Sequence, residues 1–436
     1  MISSVVLFLI LSGIIFISGF YKIEKVNRFY LLGFFTLKVI VSFFIASYFI
    51  NHVGEESDLF QFYITSEKIN NTLPWFDQIK LLFGIPLSDQ SLIELKQSGY
   101  WYKLYDYGLV NDNRIMIRIH LLIHWFSTSL MNHTLIFVFI GFNAIFFFTK
   151  ILNSYNFRFV FLTSAILFLI PSSLIFTSSL FKETITLFVL GGLSYCSFKI
   201  LNGSSLIRHL LVNILFLILL IQIKPIYSVP FLIMVIVIYL IHFLKYKVTL
   251  SRFILFYLSP LILIIAFTAL FQNEVKHKDV QHGKRFNSLV ILAEIQEGFL
   301  YDVALKKPET AIQATKLDGS LKTVIQAIPM AVSNMIIPFF TFSIKKWEVI
   351  PFTMERILLV ILLLLGFYAR LKEHTFMNDY FAIVGLISIF ILVLITLLTP
   401  ILGLIIKYAS PAIILLFLFL TSRVDWQKII LRKTES

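Results

Sequence analysis

The chain has 436 residues, 58% of them hydrophobic and 14% charged, with a mean hydropathy of +0.88 and a formal net charge of +13. Such a composition excludes a soluble globular protein and gives an all-α polytopic integral membrane protein. The positive balance implies no nucleic acid, because the Lys and Arg residues fall mainly in short loops between apolar runs, where they orient spans in the bilayer.

Crossing about 30 Å of hydrocarbon takes about 20 apolar residues. About 11 segments qualify, starting near Ser4, Phe29, Leu135, Val160, Thr184, Ile207, Ile226, Phe253, Ile357, Phe381 and Ile401. The first run, Val5 to Phe20, is followed by no small-residue cleavage site and reads as a retained span. Residues 1–50 thus hold two transmembrane helices, 51–134 an outer loop region with amphipathic helices, and 135–271 a six-helix membrane region. Residues 272–355 form a second outer region with a re-entrant segment, and 356–436 three further spans and a basic cytoplasmic tail.

Six basic connectors share one side of the membrane if the N-terminus is outside and the C-terminus inside. They are "YKIEKVNR" (21–28), Lys150 with Arg158, "KILNGSSLIRH" (199–209), "KYKVTLSR" (245–252), "RLKEH" (370–374) and "SRVDWQKIILRK" (422–433). This solution requires that two weaker apolar segments do not cross. Ile115 to Met131, preceded by Arg114 and carrying Arg118, His120 and His124, is expected as an amphipathic helix on the outer surface. Val324 to Ile344, interrupted by Pro329 and Pro338, is expected as a re-entrant or interfacial segment.

The polar residues that interrupt these apolar runs are the functional candidates, since charge at membrane depth is costly. In "GEESDLFQFY" (54–63), Glu55, Glu56 and Asp58 place three carboxylates just after the second span; a helix there puts Asp58 and Phe62 on one face. A carboxylate at this position suits proton abstraction from a hydroxyl or a divalent cation, though acidic capping of a helix start would use the same residues. His120 and His124 have the i, i+4 spacing of a helix-borne metal pair, but the sequence offers no third ligand and the metal stays unknown. "PSSLIFTSSLFKETITLFVLGG" (171–192) sets Lys182 and Glu183 side by side behind a run of hydroxyls. Cys196 follows within an apolar run; as a lone cysteine it can form neither an intrachain disulfide nor a multi-thiolate metal site. Lys224 occupies a two-residue corner in "LIQIKPIYSVP" and is either an anion ligand or a snorkelling lysine. "KHKDVQHGKRF" (276–286) contains Arg285 and is basic enough to meet anionic headgroups. "IKKWEVIPFTMER" (344–356) puts Trp347 at interface depth, with Glu348 and Glu355 undecided. In "TPILGLIIKYASP" (399–411), Lys407 and Tyr408 sit in an apolar run where a lysine needs a partner such as phosphate. No Walker A, GxGxxG, HExxH or GxSxG lies in a usable context, so cytosolic nucleotide chemistry is unsupported.

The order of "SDLFQFY", "PSSLIFTSSLFKE", "MIIPFFTFSIKKWEVIPFTMERILLV" and "TPILGLIIKY" resembles polytopic proteins of bacterial cell-surface polysaccharide assembly, and through them the GT-C superfamily of membrane glycosyltransferases. The resemblance implies a glycosyltransferase of the cytoplasmic membrane that takes sugar from a polyprenyl-phosphate donor at the outer face, passing it to a glycan or lipid-linked acceptor. It implies catalysis by Asp58, or Glu56 beside it, and lipid-phosphate binding by Lys182, Lys224, Lys407 and Tyr408. Glu183, Glu55 and Arg285 would support them, Glu183 by orienting and neutralising Lys182. The middle motif departs from the family pattern over Thr177 to Leu180. The late motif has Ile401 and Lys407 where the family has Asn and Arg, which removes bidentate phosphate recognition. Two other functions compete. An O-antigen-polymerase-like enzyme would need the basic residues without the carboxylate. A lipid or solute transporter would need a charged path to both faces, yet the inner halves of the spans offer only Lys38.

Overall fold

The computed structural model describes residues 2–52, 54, 57–97, 101, 112–154, 159–202, 205–243, 288–344, 346–368, 376–426 and 429. It is all-helical, with no strand among the described residues, and it forms two compact units: Met1–Leu169 with Ser173–Val229, and Ile170–Ser172 with Pro230–Ser436. Six of the expected spans have span-length apolar helices: Arg28–His52, Leu130–Ser154, Lys182–Leu201, Leu206–Ile223, Trp347–Tyr368 and Leu402–Arg423. Shorter apolar helices, Ile2–Ile17, Val160–Leu169, Ile226–Ile236 and Ile383–Leu398, mark four more expected positions. The segment from Phe253 lies outside the described residues.

The first unit contains α1 (Ile2–Ile17), α2 (Arg28–His52), α3 (Asp58–Thr72), α4 (Trp75–Phe83), α5 (Asp89–Gln97), α6 (Asp112–His124), α7 (Leu130–Ser154) and α8 (Val160–Leu169), then α10 (Lys182–Leu201) and α11 (Leu206–Ile223). The six-residue α9 (Pro171–Phe176) and α12 (Pro225–Phe243) run across the boundary between units. At its centre α7 packs on α10, with α2, α1 and α8 around α7 and α11 on α10. With no water to drive helix association inside a bilayer, close backbone approach has to do it. Gly191 of α10 allows it, since a Cβ there would lie 2.7 Å from the carbonyl oxygen of Ala144 on α7.

α7 and α10 run in the same direction, and the two ends of this unit differ chemically. Lys150 at the end of α7 places its ammonium 3.9 Å from the Phe20 ring centroid and 5.8 Å from that of Tyr195, and Lys199 lies 5.6 Å from Tyr195. Three of the basic connectors therefore gather at one end, as the loop-charge reading expects. The other end, where α2 stops and α7 and α10 start, is covered by α3 to α6.

Here α6 departs from expectation. It is no surface helix: Ile115, Met116, Ile117, His120, Leu121, Ile123 and His124 are all buried, and it packs along α3. Its histidines face inward because α3 and α7 supply aromatic and imidazole neighbours.

The second unit contains α13 (Ser288–Lys306), α14 (Leu321–Asn334), α15 (Ile337–Ser343), α16 (Ile350–Tyr368), α17 (Phe376–Leu398) and α18 (Leu402–Arg423). α17 and α18 form its main helix pair. Their connection is held by an extended strap, with Ile312 N donating to Pro400 O at 3.0 Å and Leu402 N to Thr310 O at 2.9 Å. Gln296 of α13 completes the stitching: its amide donates to Thr315 O (3.0 Å) and Leu397 O (2.8 Å) and accepts from Leu317 N (2.8 Å). α14 and α15 bend by 41° at their junction, making a broken span or a re-entrant loop, with Pro329 inside the first and Pro338 in the first turn of the second.

Candidate functional site

The hydroxyls before Lys182 have a backbone role first. Pro171 restarts the chain as α9, and the break between α9 and α10 frees carbonyls that must be satisfied away from water. Thr184 Oγ1 donates to Phe176 O (2.8 Å) and Ser179 O (2.9 Å). From α2, the fully buried Lys38 donates to Ser173 O (3.0 Å) and to Thr177 Oγ1, fastening the end of α9.

Beyond the break, the first turn of α10 carries Lys182 and Glu183, both buried and directed to different neighbours. Lys182 Nζ donates to Asn113 Oδ1 of α6 (2.8 Å) and stands 4.9 Å from the ring centroid of Phe62 on α3, a cation–π contact. Glu183 meets Lys224, the C-cap of α11, with Oε1 3.4 Å from Nζ. The expectation that Glu183 neutralises its chain neighbour is therefore corrected: successive residues point about 100° apart on a helix, and the carboxylate finds its cation on the next helix. The ion pair is not aligned as a hydrogen bond. Among the described residues neither Glu183 oxygen accepts one. A buried carboxylate with unused acceptor capacity can accept hydrogen bonds from hydroxyl groups.

Asp58 is the first residue of α3, one turn before Phe62, so its helix position is brought to the Lys182 end of α10. Glu55, Glu56 and Arg285 lie outside the described residues. Lys407 and Tyr408 belong to α18 in the second unit, where both are half-buried and the Tyr408 ring lies tilted at 6.3 Å from that of Phe299 on α13. The first unit thus joins Lys182, Glu183, Lys224 and the helix that Asp58 heads.

Two groups escaped the sequence reading. On the far side of α3, Tyr63 donates to Thr128 O (2.6 Å) and Glu67 Oε1 (3.3 Å), and its hydroxyl is pushed up to about 12 by burial and by Glu67. It packs against His124 and against His133 from α7, the third imidazole that the sequence did not reveal because it stands outside the i, i+4 pattern. His133 Nε2 lies 3.0 Å from Ser127 O, which can only accept, so this nitrogen carries the hydrogen. Its Nδ1 then accepts from His120 Nδ1 at 2.8 Å, leaving His120 Nε2 a bare lone pair. Burial, then the neighbouring imidazoles, hold His120 well below the ordinary imidazole range; burial also lowers His124. Among the described residues no three His, Cys, Asp or Glu side chains are arranged to hold a metal ion.

The second group centres on Glu355, which the sequence left undecided because its spacing gave no sign of its setting. It is fully buried on α16 and accepts from Ser172 twice, from N at 2.6 Å and from Oγ at 2.8 Å, with Arg356 Nη1 at 3.4 Å. Arg356 also stacks 4.5 Å from the Phe339 centroid and is the charged residue on the wall of an apolar cleft of about 210 Å³ lined by α16, α17 and α18. Trp347 is exposed, as an interfacial anchor requires. Comparison with protein-family models, curated proteins and solved structures gives no match.

Proposed function

We propose that this chain is a membrane glycosyltransferase of bacterial surface-glycan assembly, multi-pass in the cytoplasmic membrane with its N-terminus outside and C-terminus inside. Its donor is a polyprenyl-phosphate-linked sugar, and its acceptor a glycan or lipid-linked saccharide at the outer face. The observation that carries the reading is the meeting of Lys182, Lys224 and Glu183 at the end of the first unit opposite its basic connectors. By the loop-charge rule that end is the outer one. Asp58 takes the proton of the acceptor hydroxyl as its oxygen attacks the anomeric carbon. The bond from that carbon to the phosphate oxygen breaks, and the lysines stabilise the departing polyprenyl phosphate.

Sidedness is tested first, in a background with Cys196 replaced. Cysteines at the exposed positions Asn71 and Gln90 should label from outside in intact cells, and those at Lys25 and Asn202 only after permeabilisation; the reverse pattern removes the outer-face assignment. For the phosphate site, Lys182→Gln and Lys224→Gln should each weaken polyprenyl-phosphate binding in nanodiscs by about 10-fold or more, the scale of a charged hydrogen bond. Unchanged binding in both single variants at 182 and 224 would refute the site.

A further inference from the structure

α4 is built inside out. Its residues on the protein side are polar: Asp77 and Gln78 are buried with Leu81, while Trp75, Phe76 and Phe83 are 57%, 67% and 77% exposed. With 100° per residue, Trp75, Phe76, Ile79, Leu82 and Phe83 form one continuous stripe, and that stripe faces away from the protein. A helix on a water-facing loop has the opposite arrangement.

The display is rigid. Asp77 accepts from Ser91 Oγ at 2.6 Å and from Lys80 Nζ at 2.9 Å. The Gln78 amide donates to Asn70 O (3.0 Å) and Leu73 O (2.9 Å) and accepts from Trp125 Nε1 (2.9 Å). At the C-terminus Gly84 takes the left-handed conformation, with φ +71°, that closes a helix, and Arg118 Nε of α6 donates to Leu81 O at 2.9 Å. The buried polar face is thus satisfied, and the apolar face is held outward by design of the same contacts. The stripe continues into the α6–α7 turn: Trp125 packs 4.2 Å from Trp75, and Phe126 is 88% exposed.

We propose that α4 and the Trp125–Phe126 turn form an interfacial anchor that lies in the headgroup region of the bilayer with this stripe against the acyl chains. Position favours lipid over a protein partner. α3 to α6 cover the end of the unit where α2 stops and α7 and α10 start, which is the membrane surface for helices that span it. Composition agrees, since Trp and Phe with a bordering cation make an interfacial face; Lys80 supplies that cation, its ammonium 4.8 Å from the Phe76 centroid. The anchor also sets a depth, because α6, which caps α4 through Arg118, carries the Asn113 that receives Lys182. The inference does not depend on the chemistry at Lys182.

The test uses the full chain with Cys196→Ala, spin-labelled at cysteines replacing Phe76 or Phe83 and reconstituted into phosphatidylethanolamine–phosphatidylglycerol nanodiscs. Both side chains are mostly exposed, so labelling removes little buried contact. Collision with oxygen, which partitions into lipid, should exceed collision with the water-soluble nickel complex NiEDDA several-fold at both positions. A label at Asn202, exposed on a connector, should show the opposite order. High NiEDDA collision at 76 and 83 would mean the face meets water, and low collision with both reagents would mean a second copy or another protein covers it. Either result overturns the proposal.

Discussion

Asp58→Asn is expected to lower glycosyl transfer by at least about 10²-fold, the low end for removal of a general base. The amide is nearly isosteric but cannot take a proton at neutral pH. Folding should survive: Asp58 occupies the first turn of α3, where its interaction with the helix dipole contributes about 0.3–1 kcal/mol. Glu55→Gln and Glu56→Gln are the matched controls, removing the same charge from the same approach to α3. If Glu56→Gln is the inactive variant, the mechanism stands with that carboxylate as base. Glu183→Gln adds a discriminating arm, because Glu183 is buried and, among the described residues, neither of its oxygens accepts a hydrogen bond. Loss of transfer there with Asp58→Asn active moves the base to α10. If every carboxylate variant transfers normally while Lys182 and Lys224 remain essential, the polymerase-like reading replaces the present one.

The largest loss of stability is expected from Glu355→Ala. In the wild-type protein this carboxylate receives the Ser172 N–H and hydroxyl and balances Arg356. Its removal leaves a buried guanidinium against an apolar cleft and two donors without their acceptor, a loss of about 3–5 kcal/mol for a broken buried pair. Thermal unfolding of the detergent-solubilised protein should show a lower melting temperature. Glu355→Gln, which keeps an acceptor for Ser172 but loses the charge, should fall between. Combined Glu355→Met and Arg356→Met should recover much of the difference, since apolar residues of similar volume replace buried ion pairs at little cost. A wild-type melting temperature for Glu355→Ala would show that the pair contributes nothing to the second unit.

By itself the sequence determined whatever depends on runs and on composition. Long apolar stretches must be helices in a bilayer, because only helices satisfy their own backbone there, and apolar helices stand at the expected starts that the structure describes. Basic connectors sort by side, and those around Lys150 and Lys199 do meet at one end. Lys182 was legible, for the same reason of cost, as a cation that does not face lipid. What the tertiary structure alone decided is which partner each polar group has and what each helix face meets. Glu183 reaches Lys224 on another helix, Glu355 reaches Ser172, and His133 joins His120 from a different helix. No local spacing encodes such pairs. α4 and α6 make the physical reason plain: both carry an apolar stripe, and periodicity gives the direction of a stripe on its own helix but not the medium beyond it. α6 turns its stripe into the protein with its histidines, and α4 turns its own stripe away, because Gln78 and Asp77 have hydrogen-bond partners on the inside that Trp75 and Phe76 lack.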